Sequence, residues 1–169
     1  GEWGGGCVSD FGDIIMKITD PVLMKNVMRG ITPTFTGVAS QNPIDLANTT
    51  DGDPTTVSGE GIDILLGSGE VGTFIFDFGA VKNVIVGFLA QIHSTAQTVS
   101  LYIDSSTDGI TYRTAGTTAA QKTVVNLATV DPQAQICLNA QYIRIRMTVG
   151  GAATAGIILN EVVAYELGL

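Results

Sequence analysis

Gly72-Thr73-Phe74-Ile75-Phe76-Asp77-Phe78-Gly79 decides the fold, because its large apolar side chains recur at every second position. In a strand, Phe74, Phe76 and Phe78 share one face while Ile75 and Asp77 share the other. Val84, Val86, Phe88, Ala90 and Ile92 continue the alternation, and Val99, Leu101 and Ile103 line one side of a further strand. Ser106-Thr107-Asp108-Gly109 then turns the chain back into Ile110-Thr111-Tyr112, which predicts a hairpin. Val124, Asn126 and Leu127 predict another strand, broken by Asp131-Pro132. Ile143, Ile145 and Met147 face inward from a strand whose other side carries Tyr142, Arg144 and Arg146. The last strand runs from Ile157 to Tyr165. About eight strands without helical periodicity or internal repeat predict an all-β fold, a two-sheet jelly-roll β-sandwich over residues 32–169.

Residues 1–31 read differently, as an N-terminal arm with one short helix. Gly4-Gly5-Gly6 tethers Trp3, a large apolar side chain that could dock into a neighbour. From Asp20 to Gly30 the helix signals agree: Asp20 as N-cap, Pro21 at the first helical position, Lys25 and Arg29 near the end, and Gly30 as the stop. Val22, Leu23 and Val27 give that helix an apolar side that must pack on the same chain or on a partner.

The 169 residues carry 16 acidic against 8 basic side chains, a formal charge of −8, and no run of Lys or Arg. Nucleic acid is therefore an unsuitable partner. No stretch has the length and apolarity of a membrane-spanning helix. A positive mean hydropathy with only 14% charged residues points to a surface partly covered by other subunits, or to a large core. Cys7 and Cys137 are compatible with a disulfide or with two thiols, and Gly1 with either a processed or an original start.

Leu46-Ala47-Asn48-Thr49-Thr50-Asp51-Gly52-Asp53-Pro54-Thr55-Thr56 concentrates turn-forming and oxygen-bearing residues. Gly52 permits a positive φ, and Pro54 pushes Asp53 towards extended geometry. Such a loop is either an acidic surface turn or a site for a hard cation, which takes six to eight oxygens.

The order of these signals resembles the discoidin family, the coagulation-factor type C domains, and their relatives among family-32 carbohydrate-binding modules. The pieces that carry the resemblance are residues 47–56, 72–79, 106–112, 142–145 and 159–165. It implies a galactose-binding-like jelly roll with a structural Ca²⁺ between the first loop and the last strand. On this reading Asp51 and Thr56 are side-chain ligands, Asp53 is a ligand through its carbonyl or carboxylate, Glu161 supplies the acid from the last strand, and Asn48 adds a carbonyl. Val57 stands where the family usually has Trp, and Tyr112 replaces a frequent Trp at the end of the hairpin. The loops around Ser58–Gly72, His93–Gln97 and Gly150–Gly156 contain no Trp or Tyr to stack on a sugar.

His93 is the sole histidine, so a metal centre of several His ligands is excluded. No nucleophile elbow, phosphate-binding glycine loop or cysteine cluster is present, and no catalytic residue is expected. His93 is a candidate ligand contact at a strand end. Tyr142, Arg144 and Arg146 form a set that either binds an anionic sugar or carboxylate, or pairs with neighbouring acids. Two functions follow as expectations. One is a structural or attachment subunit of a larger assembly, such as a virion, phage tail or extracellular filament, whose arm contacts other copies through Trp3, Val22, Leu23 and Val27. The other is a lectin-like module for cell-surface glycans. Both place the protein outside the cell or on a virion surface.

Overall fold

The computed structural model describes residues 25–37, 45–53, 64–93, 97–122, 128–130, 134–150 and 155–168. They form eight strands: β1 (Thr34–Gly37), β2 (Ile64–Leu66), β3 (Val71–His93), β4 (Gln97–Ser106), β5 (Arg113–Lys122), β6 (Ala128–Val130), β7 (Gln135–Gly150) and β8 (Ala155–Glu166). A single 3₁₀ turn, Leu46–Thr50, is the helical element among the described residues.

The long strands β3 and β7 each serve two layers. The first part of β3 lies between β1 and residues 142–148 of β7, which in turn pair with β4, and β4 with β5. This is the front layer. Beyond a break in register between Asp77 and Lys82, β3 pairs with β8 on one side and with β6 and the start of β7 on the other. β2 extends this back layer beyond β8. Gly79 makes the corner with a φ of +76°, where a Cβ would be strained, and its N–H donates to the Asp77 carboxylate at 2.7 Å.

Alternation fills the space between the layers. Phe74, Phe76, Leu101, Ile103, Ile143, Ile145 and Met147 come from the front, and Val84, Val86, Phe88, Ala90 and Ile92 from the back, into one buried cluster. Apart from Ala90, each such side chain contributes about 1.5–3 kcal/mol on burial. The expected all-β sandwich and its inward faces are what the strands form.

The details depart from expectation where side chains capture backbone. The return strand of the hairpin starts at Arg113 rather than Ile110, because the Asp108 carboxylate accepts the N–H groups of Ile110 and Thr111 at 2.8 and 2.9 Å. β2 lies within the stretch read as a loop, Ser58–Gly72. The strand expected around Val124–Leu127 falls outside the described residues, as do Trp3, Val22 and Leu23.

The predicted helix needs correction over its second half, and residues 20–24 are outside the described set. Asn26 forms a β-bridge with Tyr165, and its Oδ1 accepts from the N–H groups of Met28 and Ala164 at 3.1 Å each. Those bonds hold Asn26 beside β8 and commit residues 27–30 to a turn. Met28 is fully buried in the core, and Val27 and Ile31 pack against it, so these residues of the expected arm contribute to the core of the sandwich.

Candidate functional site

Two charged clusters stand out, one on each layer. The first lies on the outward side of the front layer. Arg144 and Arg146 are two positions apart on β7 and point the same way, and the register sets Asp104 opposite Arg144 and Tyr102 opposite Arg146. The Asp104 carboxylate is completely buried. Its Oδ2 accepts from Nε of both arginines at 2.8 Å, and its Oδ1 accepts from Thr114 Oγ1 at 2.9 Å and from Arg146 Nη2 at 3.2 Å. Each guanidinium also stacks on a ring: Arg144 on Tyr112 at 4.1 Å and Arg146 on Tyr102 at 4.0 Å. Burial pushes the Asp104 carboxyl up, but the hydrogen bonds from Arg146, Arg144 and Thr114 outweigh it and hold the group below its ordinary 3.8. The Tyr112 hydroxyl is buried without a hydrogen-bond partner.

The arginines expected to meet a carboxylate do so within the chain. Tyr142 stands apart from them, its ring against Gly109, where an added Cβ would come within 3.1 Å. Sequence reasoning missed Asp104 and Tyr102. Alternation places them on the outward face, but the register that sets them against the arginines is absent from the local pattern.

The second cluster joins the first loop to β8. The pairing of β3 with β8 slips at Leu89/Ala90, leaving Asn160 as an extra residue between Leu159 and Glu161. This bulge turns Glu161 towards the 3₁₀ turn and the loop that follows it. Gly52, at φ +83°, donates its N–H to Glu161 Oε2 at 2.9 Å. The Asp51 carboxylate is the hydrogen-bonding neighbour of Glu161, and Asp51 Oδ1 accepts the Asp53 N–H at 2.8 Å. Glu161 is only 7% exposed, and its Oε1 is buried with no partner. Burial first, and then the Asp51 charge, push its carboxyl up to about 7.

Asp51 and Glu161, expected from the resemblance, are therefore brought together. Asn48 lies in the 3₁₀ turn with its N–H on the Asp45 carbonyl, Asp53 is exposed, and Thr56 is outside the described residues. Among the described residues, no three His, Cys, Asp or Glu side chains converge as metal ligands. Beside the acid pair lies a cavity of about 360 Å³ lined by Asn26, Arg29, Gly52, Phe88, Glu161 and Tyr165. Arg29 was read only as a helix-end cation; here its guanidinium covers Gly52.

His93 ends β3, where its backbone pairs with Gly156. Close by in the pairing are Gln97 opposite Lys122 and Thr98 opposite Gly150, so β3, β4, β5, β7 and β8 all reach one rim of the sandwich. The described residues that precede 94–96, 123–127 and 151–154 stand at that rim. Cys137 is buried, and burial pushes its thiol up to about 11; Cys7 lies outside the described residues.

No family model matches the chain, and no curated protein matches it. Among solved structures it is similar to a variant of chitosan-binding module 1 from a chitosanase/glucanase of Paenibacillus sp. IK-5, with 21% identity, a TM-score of 0.47 and coverage of 83% of this chain and 97% of that one. It is similar to the C-terminal domain of a chitobiase from Bacteroides fragilis, with 13% identity, a TM-score of 0.48 and coverage of 83% and 95%. A CBM32 module of AlyQ, solved with 4,5-unsaturated mannuronic acid, gives 23% identity, a TM-score of 0.40 and coverage of 83% and 98%. The sandwich rests on the strand pairing above, and the ligands in these descriptions belong to those modules.

Proposed function

We propose that this chain is a non-catalytic, extracellular, lectin-like module that binds a glycan at the rim formed by the ends of β3, β4, β5, β7 and β8. The observation that carries the reading is the convergence of those strand ends, since loops launched from one rim of a rigid sandwich form a shared binding surface. The residues of these connections, Ser94-Thr95-Ala96, Thr123 to Leu127 and Gly151-Ala152-Ala153-Thr154, are uncharged and include hydroxyl and amide groups suited to sugar hydroxyls. A glycan array, run with Ca²⁺ and again with a chelator, tests it. Selective binding that weakens at least tenfold in His93→Ala/Gln97→Ala supports the reading, and no binding across the array overturns it.

The acid pair supports a structural Ca²⁺ in the same proposal. Two carboxylates and a buried oxygen without a partner suit a hard cation, and Asp51 and Glu161 are the residues that would hold it, with further oxygens from Asp53, Thr56 and the Asn48 carbonyl. Such an ion would tie the first loop to β8 and supply positive charge between the two acids.

The assembly reading draws on a different observation: Val81, Ile110, Ile136 and Leu138 are large apolar residues left exposed. Sedimentation at rising concentration tests it. A defined oligomer supports a subunit role, and a strict monomer removes it.

A further inference from the structure

The Asp51–Glu161 pair has a basic neighbour whose place the fold fixes. Met28 is anchored in the core. The turn at residues 27–30 is tied to the 3₁₀ turn in both directions: the Gly30 N–H donates to the Thr50 carbonyl at 3.0 Å, and the buried Thr50 Oγ1 donates to the Ile31 carbonyl at 2.6 Å. Arg29, between Met28 and Gly30, is thereby carried to the loop that holds the acids. Its guanidinium lies against Gly52, where an added Cβ would come within 2.9 Å of Nε. Gly52 is also the residue whose N–H binds Glu161 Oε2, so the absent side chain makes room for a charge beside the carboxylate.

Of the described residues that line the adjoining cavity, Arg29 alone is basic, and it shares that lining with Glu161. Its charge favours the ionised carboxylate of Glu161, but burial and Asp51 outweigh it. A divalent ion held between the acids would meet the same charge as repulsion, since one Coulomb field acts with opposite sign on acid and metal. Arg29 is exposed, so the repulsion is moderate and is screened by salt.

We propose that Arg29 is an internal counter-cation that sets how tightly the acid pair holds Ca²⁺, supporting the acids while the site is metal-free and opposing the ion that takes them over. The inference rests on the Ca²⁺ reading of Asp51 and Glu161 above. It requires no contact between Arg29 and the ion.

Calorimetric titration of the full chain with Ca²⁺ at pH 8, as wild type, Arg29→Lys, Arg29→Gln and Arg29→Glu, tests the proposal. At low ionic strength the Kd is expected to stay within about twofold in Arg29→Lys, to fall about fivefold in Arg29→Gln and to fall further in Arg29→Glu, with the differences shrinking in high salt. Melts of the metal-free variants are expected to rank the other way, with Arg29→Glu lowest, so that the gain in Tm from Ca²⁺ is largest where the affinity is highest. A packing role over Gly52 would lower the Tm of all three variants without tightening Ca²⁺. An unchanged or raised Kd in Arg29→Gln and Arg29→Glu overturns the proposal and leaves the Ca²⁺ reading standing, whereas no Ca²⁺ binding in any of the four chains overturns both.

Discussion

The two charged clusters of this sandwich answer the same physical problem in opposite ways. Asp104 on β4 is completely buried, yet both its oxygens receive charged or hydroxyl donors, and the arginines that supply them lie over the rings of Tyr102 and Tyr112. Glu161 on β8 is almost as buried, but the acid Asp51 stands against it, the Arg29 charge offsets this only in part, and one of its oxygens has no partner. The first cluster is closed, with each charge answered inside the chain. The second is open, because Arg29 and the Gly52 N–H answer its two acids only in part. A buried acid says little about function until its partners are counted.

Breaking the closed cluster should give the largest effect. Asp104→Ala leaves two neighbouring guanidinium groups without their shared carboxylate, and urea denaturation should show a loss of about 3–5 kcal/mol. Replacing Asp104, Arg144 and Arg146 together by apolar residues should recover much of that loss. A cost below about 1 kcal/mol for Asp104→Ala would mean that the cluster is an ordinary surface network.

The pH dependence sharpens the contrast, because the clusters act in opposite directions. Glu161 titrates near 7 in the folded chain against 4.5 ordinarily, so its protonated form favours folding. That stability is full below pH 4.5 and is lost as pH rises through about 7, by about 3 kcal/mol at about 1.4 kcal/mol per unit. Asp104 is shifted the other way, and its contribution is lost as pH falls below 3.8. Denaturation in chelator across pH 4 to 8 should show the decline, and Glu161→Gln should flatten it. A flat wild-type profile would remove the open cluster.

Two smaller changes test the geometry. Gly52→Ala places a Cβ at φ +83° and against the Arg29 guanidinium, and should cost about 1–2 kcal/mol by thermal melting. Tyr102→Leu retains an apolar cover but removes the ring under Arg146, for a loss of about 0.5–1 kcal/mol.

The layers were legible in the sequence because alternation is a local property: Phe74 and Phe76, Val84 to Ile92, and Ile143 to Met147 all face the core as their period requires. Asp51 and Glu161 could be paired only through the family resemblance, since 110 positions separate them and the Asn160 bulge that aims Glu161 breaks the alternation. The helix failed over residues 25–30 because Asn26 bonds to Ala164, a long-range contact that outweighs good local helix signals. The partner of Arg144 and Arg146 was hidden for the same reason: cross-strand register is set by the whole sheet.

Calorimetric titration of the metal-free chain with Ca²⁺ at pH 8, followed by a melt, tests the open cluster most directly. The account predicts one ion per chain and a raised Tm, both absent in Glu161→Gln. No binding heat and an unchanged Tm in the wild type would contradict it.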